Sequence, residues 1–75
     1  MSVAVDWDYP ALRVFERIPW PRSADVAAVV YRFAERHAQG FASGVYTLRS
    51  AGYWIRVRLD RETATLLVLY LKRED

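Results

Sequence analysis

A chain of 75 residues is long enough for one hydrophobic core and too short for two. Its composition, 53% hydrophobic and 15% aromatic with no cysteine, argues against disorder and excludes a disulfide framework or a thiolate zinc site. The formal charge of +2 is modest, but nearly all the basic residues are arginines, which suit bidentate contacts to phosphate or carboxylate groups. We therefore expect residues 1–75 to form a single domain whose small core is supplemented by an interface.

The N-terminal segment, residues 1–8, has no basic region followed by a long apolar stretch. No run in the sequence approaches the roughly 18 apolar residues that span a bilayer. We therefore expect a cytoplasmic protein that does not contact a membrane.

The first predicted elements are a short strand and a short helix. Residues 2–6 are small and β-branched, which is typical of a strand. Asp8 is a candidate N-cap, Leu12 and Phe15 lie on one apolar stripe, and Pro19 ends the helix. The proline at position 21 extends this break before the next element.

A longer amphipathic helix is predicted from about residue 22 to residue 39. Apolar or aromatic residues recur there at spacings of three and four, namely Val26, Val29, Val30, Phe33 and His37. Gly40 follows as a left-handed C-terminal stop. The two helices are thus expected to form a hairpin.

After Gly44 the hydrophobic period changes from helical to two, which predicts strands at 45–49, 53–59 and 65–72. The predicted fold is α+β in the order β-α-α-β-β-β, with the helix hairpin packed on one face of an antiparallel sheet.

Alternation sorts the side chains of these strands between two faces. One set has no charge and is expected to pack on the helices: Tyr46, Leu48, Tyr53, Ile55, Val57, Leu59, Leu66, Val68 and Tyr70. The other set mixes cations with apolar groups: Val45, Thr47, Arg49, Trp54, Arg56, Arg58, Leu67, Leu69, Leu71 and Arg73.

Two functional interpretations compete for this second face. Arginines interleaved with an aromatic ring bind phosphates and stack bases, as single-stranded nucleic-acid sites do, which makes Arg49, Trp54, Arg56, Arg58 and Arg73 candidates for nucleic-acid binding. Leucines two residues apart instead form an apolar strip of the sort that another chain covers, with Leu67, Leu69, Leu71 and Trp54 as candidate partner contacts. The alternative to both is a solvated face in which arginine stems cover apolar neighbours.

Several segments resemble the RelE/ParE superfamily of type II toxins in order and spacing. They are Val5-Asp-Trp-Asp8, Ala11-Leu12, Ile18-Pro19, Tyr46-Thr-Leu-Arg49, Ser50-Ala-Gly-Tyr53, Arg56-Val-Arg-Leu-Asp60 and Leu69-Tyr-Leu-Lys-Arg-Glu74. The resemblance covers nearly the whole chain. It implies a toxin that a cognate antitoxin neutralises.

Members of this superfamily differ in target. RelE-like members cut mRNA on the ribosome, whereas ParE-like members act on DNA gyrase. In the nucleases, basic side chains orient RNA for attack of a 2′-hydroxyl on the adjacent phosphate. Carried over to this sequence, the basic position near the end of the last strand matches Arg73, and the leucine-arginine before the turn matches Leu48-Arg49. The candidate catalytic residues are Arg56 and Arg73.

The sequence also departs from the nuclease pattern. Trp54 follows Gly-Tyr where active nucleases commonly have arginine, and Val45 and Thr47 stand where some have lysines. The sequence ends at Asp75, so we expect no C-terminal catalytic tyrosine. These departures favour a ParE-like or catalytically degenerate toxin, and leave open whether the protein is an enzyme.

Two alternatives remain. One is an active ribosome-dependent mRNA endoribonuclease, and the other is a non-catalytic domain that binds a protein partner or forms a homodimer. His37, the single histidine, is expected on the helix stripe that faces the core, away from the open face. We expect no metal site and no cofactor, because the sequence has one histidine, no cysteine and no glycine-rich phosphate loop.

Overall fold

A computed structural model describes residues 3–74 of the chain. Ser2, which was predicted to begin the first strand, and Asp75 lie outside the described residues. The elements in chain order are β1 (Ala4–Trp7), α1 (Tyr9–Phe15), α2 (Arg22–Arg32), β2 (Gly44–Ser50), β3 (Tyr53–Asp60) and β4 (Thr65–Arg73). This order confirms the predicted β-α-α-β-β-β fold.

The four strands form one sheet in the order β1-β4-β3-β2. β2 pairs with β3 and β3 with β4 in antiparallel fashion, as expected for a meander of short connections. β1, however, runs parallel to β4, with Ala4 beside Thr65 and Trp7 beside Val68. The prediction of an antiparallel sheet was therefore wrong for this strand, and the sheet is mixed. β1 and β2 lie at opposite edges of the sheet, so the helical segment between them carries the chain from one edge to the other, and β1 meets β4 only in the tertiary fold.

Local side chains explain where the elements begin and turn. The Asp8 carboxylate accepts a hydrogen bond from the backbone N–H of Tyr9 at 2.9 Å, and Asp8 is the predicted N-cap of α1. β2 and β3 are joined by Ala51 and Gly52, which both have positive φ (52° and 83°). This backbone twist suits a two-residue hairpin. Asp60 opens the next turn by accepting hydrogen bonds from the backbone of Glu62 and Thr63.

The core lies between the helices and one face of the sheet. α1 packs over β4 and α2 over β2. The fully buried side chains come from α2 and the two central strands: Val26, Val30, Ile55, Val57, Leu59, Leu66 and Val68. The uncharged face of β3 is therefore core, as predicted. Leu12 is 41% exposed, and Ala11 takes the buried position on α1 that its pattern had assigned to Leu12.

The helix predicted to reach residue 39 is α-helical only as far as Arg32. It continues as a π-helical turn at Phe33–His37 and a tight 3-10 turn at Ala38–Gly40. Gly40 is not among the residues with positive φ, so it does not end the helix as a left-handed cap. The widened turn also changes which residues point inward. Ala34 and Ala38 are buried, whereas His37, predicted on the core stripe, is exposed.

A β-bulge in β4 changes the faces of its last residues. Val57 of β3 lies opposite Val68, but the preceding residue, Arg56, lies opposite Tyr70, so Leu69 is an extra residue in β4. Beyond it, Leu71 lies opposite Ile55 and is 5% exposed, whereas Tyr70 is 43% exposed. The prediction that Tyr70 faces the core and Leu71 the open face was therefore wrong. Burial of an apolar leucine instead of a phenol gives the physical reason.

Within residues 3–74, no helix has both the length and the apolar character needed to cross a membrane.

Candidate functional site

The sheet face opposite the helices, here called the open face, is built of three cross-strand rows. Residues directly opposite one another in a ladder present their side chains on the same face. Starting from the Ala51–Gly52 turn, the rows are Arg49, Trp54 and Lys72; then Thr47, Arg56 and Tyr70; then Val45, Arg58, Leu67 and Asp6. Four cations and two aromatic side chains thus share one surface.

The first row centres on Trp54. The Arg49 guanidinium lies over the indole ring, 4.6 Å from its centroid, and also pairs with the carboxylate of Glu74. Lys72 lies on the other side of Trp54 and is exposed. The indole therefore contacts one cation, Arg49, has a second cation as its cross-strand neighbour, and keeps 37% of its surface accessible.

The second row places Arg56 between Thr47 and Tyr70. Arg56 donates a hydrogen bond from Nη1 to the Thr47 hydroxyl at 2.7 Å, which fixes the guanidinium near the centre of the face. Tyr70 lies on the opposite side of Arg56 because of the bulge. Trp54 and Tyr70 are therefore diagonal neighbours on adjacent strands, about 7–8 Å apart at their backbones.

The third row is less basic. Arg58 is exposed between Val45 and Leu67, and Asp6 of β1 lies beyond Leu67. The Asp6 carboxylate accepts a hydrogen bond from the backbone N–H of Trp7. The positive charge is thus concentrated at the end of the face near the Ala51–Gly52 turn, and an apolar border formed by Leu67 with the half-buried Leu69 separates it from Asp6.

Two cations and one aromatic side chain of this face are available for contacts with another molecule. Within residues 3–74, Arg58, Tyr70 and Lys72 have no side-chain hydrogen bond, ion pair or ring contact. Cations of this kind can bind phosphate oxygens, and exposed rings can stack on bases. The arrangement is therefore suited to a flexible polyanion with aromatic groups.

Two predicted site residues lie elsewhere. Leu71, a predicted partner contact, is part of the core. Arg73, predicted on the same face as Arg56, lies opposite Tyr53 on the helix side of the sheet and lines a cleft with Arg22 and Asp25 at the start of α2. The bulge explains both shifts, since one extra residue exchanges the two faces of a strand.

The other predicted positions share the open face. Arg49, Trp54, Arg56 and Arg58 lie together there, with Leu67 at its border. Sequence reasoning missed Tyr70 and Lys72. The sequence did contain a signal for them. Strict alternation from Val68 buries the charged Lys72 and exposes the apolar Leu71, which is unfavourable for both, and a bulge between them and Val68 reverses the two positions.

His37 does not join the open face. It is exposed at the end of the helical segment, with its ring 6.4 Å from that of Phe33. In the part of the chain from residue 3 to residue 74, no three His, Cys, Asp or Glu side chains form a group that could hold a metal ion.

Known structures show the same fold. The chain is similar to a RelBE toxin–antitoxin complex from Mycobacterium tuberculosis, with 22% identity over 100% of this chain and 95% of that chain and a TM-score of 0.66. It is also similar to the isolated RelE toxin of E. coli, with 12% identity, coverage of 99% and 86% and a TM-score of 0.77. A third similar structure is the archaeal RelE–RelB complex from Pyrococcus horikoshii, with 10% identity, coverage of 99% and 97% and a TM-score of 0.73.

No family model and no curated protein matches the sequence. The structural likenesses span nearly the whole chain and confirm the resemblance in fold to the RelE toxins. Since one fold serves several activities, the fold alone does not determine the activity, which depends on the residues of the open face.

Proposed function

We propose that this protein is the toxin of a toxin–antitoxin pair and that its open face binds RNA. The observation that carries the proposal is that Arg49, Arg56, Arg58 and Lys72 lie on the same exposed sheet face as Trp54, with Arg49 and Lys72 directly beside its ring position. Cations that share a surface with an aromatic ring can bind a phosphate backbone with accessible bases. mRNA has this chemistry, and in this proposal the protein meets it in the cytoplasm.

The proposed partner is a cognate antitoxin. Two of the similar structures are complexes of a RelE toxin with RelB or of a RelBE pair. On this chain, Leu67 and Leu69 leave apolar surface at the border of the basic rows, which an antitoxin segment would cover. Leu71 no longer contributes, because it is buried.

If the protein cleaves RNA, Arg56 is the residue we assign to the reacting phosphate. In that reaction a ribose 2′-oxygen forms a bond to the adjacent phosphorus, the bond to the 5′-oxygen breaks, and the 2′-hydroxyl proton is transferred in effect to the leaving 5′-oxygen. A guanidinium fixed by Thr47 would stabilise the added negative charge. Arg73 lies on the helix side of the sheet and is not included in this role.

A second candidate is a ParE-like or catalytically degenerate toxin. Trp54 favours it, because this residue occupies a position where the nuclease pattern has arginine, and Arg49 beside it is already paired with Glu74. In that case the same surface would serve a protein target such as DNA gyrase. Primer extension on ribosome-bound mRNA and a gyrase supercoiling assay separate the two candidates.

RNA binding itself is tested by fluorescence anisotropy with a labelled single-stranded RNA. Replacing both Arg58 and Lys72 by alanine should weaken binding by about tenfold or more at moderate salt. The slope of log affinity against log salt concentration should fall by the amount expected for the loss of about two phosphate contacts. The matched control replaces Arg13 and Arg32, exposed cations of the helices, and should change affinity little. Equal losses in the two double variants would show that binding is not confined to the open face and would overturn the proposal.

A further inference from the structure

The bulge at Leu69 adds a second exposed ring to the open face. Tyr70 is 43% exposed and Trp54 is 37% exposed, on adjacent strands and on the same side of the sheet. Without the extra residue, Tyr70 would lie opposite Ile55 and point into the core. The bulge therefore determines how many rings the face carries.

Neither ring belongs to the hydrophobic core. Within residues 3–74 they make no ring contact with each other, and the Tyr70 side chain has no hydrogen-bond partner. Trp54 is supported from one side by the Arg49 guanidinium at 4.6 Å. The exposed phenol of Tyr70 contributes little to stability, and its ring is available for an external contact.

We propose that Trp54 and Tyr70 are a base-stacking platform that makes the open face specific for unpaired RNA. This inference rests on the proposed function and names the two residues that would recognise the bases of the RNA. The diagonal separation of about 7–8 Å between the two positions is close to the step between splayed nucleotides of an extended strand. One base stacks on each ring.

The cations are placed to hold the strand that these bases belong to. Lys72 lies directly beside Trp54, and Arg56 directly beside Tyr70. Each ring thus has a cation as its cross-strand neighbour, so a base on the ring brings its phosphate within reach of that cation. In duplex RNA the bases are paired and stacked on one another, and only the phosphates would be available.

The test compares three RNAs with the same number of phosphates: an unstructured single strand, a hairpin whose two halves form a duplex, and a single strand with abasic sites. Binding is measured by anisotropy with the full chain. Wild-type protein should bind the single strand about tenfold more tightly than the abasic strand, because each stacked base contributes substantially to affinity. Tyr70→Leu and Trp54→Leu should each lose most of this preference. Their affinities for the abasic strand should stay close to wild type.

Tyr70→Phe separates stacking from hydrogen bonding, since it keeps the ring and removes the hydroxyl. It should retain the preference for the single strand. A loss as large as that of Tyr70→Leu would assign the effect to the hydroxyl and overturn the stacking platform. Equal binding of all three RNAs by wild-type protein would overturn it as well, while leaving RNA binding intact.

Two further results have distinct meanings. If wild-type protein binds none of the RNAs at low salt, the proposed function fails, and the platform fails with it. If Trp54→Leu or Tyr70→Leu instead converts an oligomer to a monomer in light scattering without changing RNA affinity, the two rings belong to a contact between copies of the chain. That outcome also overturns the platform.

Discussion

Leu71 is the cross-strand partner of Ile55, and the two side chains are buried together, 5% and 0% exposed. This pairing exists because Leu69 is accommodated as an extra residue between Val68 and Tyr70. Without it, Tyr70 would occupy the position opposite Ile55 and Lys72 would also point toward the helices. The contact between Leu71 and Ile55 therefore selects which side chains reach the open face.

The first prediction compares two leucines of β4. Leu71→Asp should unfold the protein or destabilise it by at least about 3 kcal/mol, because it puts a carboxylate into the core opposite Ile55. Leu69→Asp should destabilise much less, since Leu69 is only half-buried, and should instead weaken association with an antitoxin or a second copy. Thermal melts and light scattering measure the two effects. Unfolding by both variants to the same degree would show that Leu69 is core as well.

The second prediction uses two single-residue deletions. Deleting Leu69 or deleting Tyr70 should each restore a regular ladder that keeps Leu71 opposite Ile55, so both variants should fold and melt at similar temperatures. Only the deletion of Tyr70 removes a ring from the open face, and it should lower affinity for single-stranded RNA by about tenfold relative to the deletion of Leu69. If both deletions abolish folding, the bulge is needed for more than register.

The third prediction concerns the core face of α2. Val30 is fully buried, so Val30→Ala should lower the free energy of unfolding by about 2 kcal/mol through lost burial and a small cavity. Arg32→Ala, at an exposed position two residues later, is the control and should leave stability nearly unchanged. Denaturant unfolding of both variants checks this, and equal midpoints would mean that α2 does not pack as described.

The fourth prediction separates two arginines that the sequence pattern had grouped together. Arg56→Ala should weaken RNA binding about tenfold, because Arg56 lies at the centre of the open face and is fixed by Thr47. Arg73→Ala should have a much smaller effect, because Arg73 lies across from Tyr53 on the helix side. Anisotropy with one labelled RNA measures both, and a larger loss for Arg73→Ala would place the binding surface at the cleft beside α2.

The fifth prediction concerns the pairing of Arg49 with Glu74. The Glu74 carboxylate competes with phosphate for Arg49, so Glu74→Gln should raise RNA affinity by about two- to fivefold at low salt. The gain should shrink at high salt, because the pair is exposed to solvent. Glu62→Gln removes the same charge from the turn at the opposite end of β3 and β4 and is the control. An equal gain in both variants would reflect net charge alone.

The sequence by itself determined the features that depend on local spacing. The Asp8 cap, the strands that begin at positions 53 and 65 and the core face of β3 follow from residue type and period, which act over a few neighbours. The cluster of Arg49, Trp54, Arg56 and Arg58 was also predictable, because an antiparallel hairpin with a short turn fixes the register of β2 and β3.

Only the tertiary structure decided the features that depend on distant contacts. The parallel pairing of β1 with β4 joins residues some sixty positions apart, and no local pattern encodes its direction. The bulge in β4 places Leu71, and not Tyr70, opposite Ile55. That position is buried, and so favours leucine over a phenol, only when the helices cover the sheet. As a result of the bulge, Leu71 is buried, Arg73 lies on the helix side, and Tyr70 and Lys72 lie on the open face, because one extra residue exchanges the two faces of a strand.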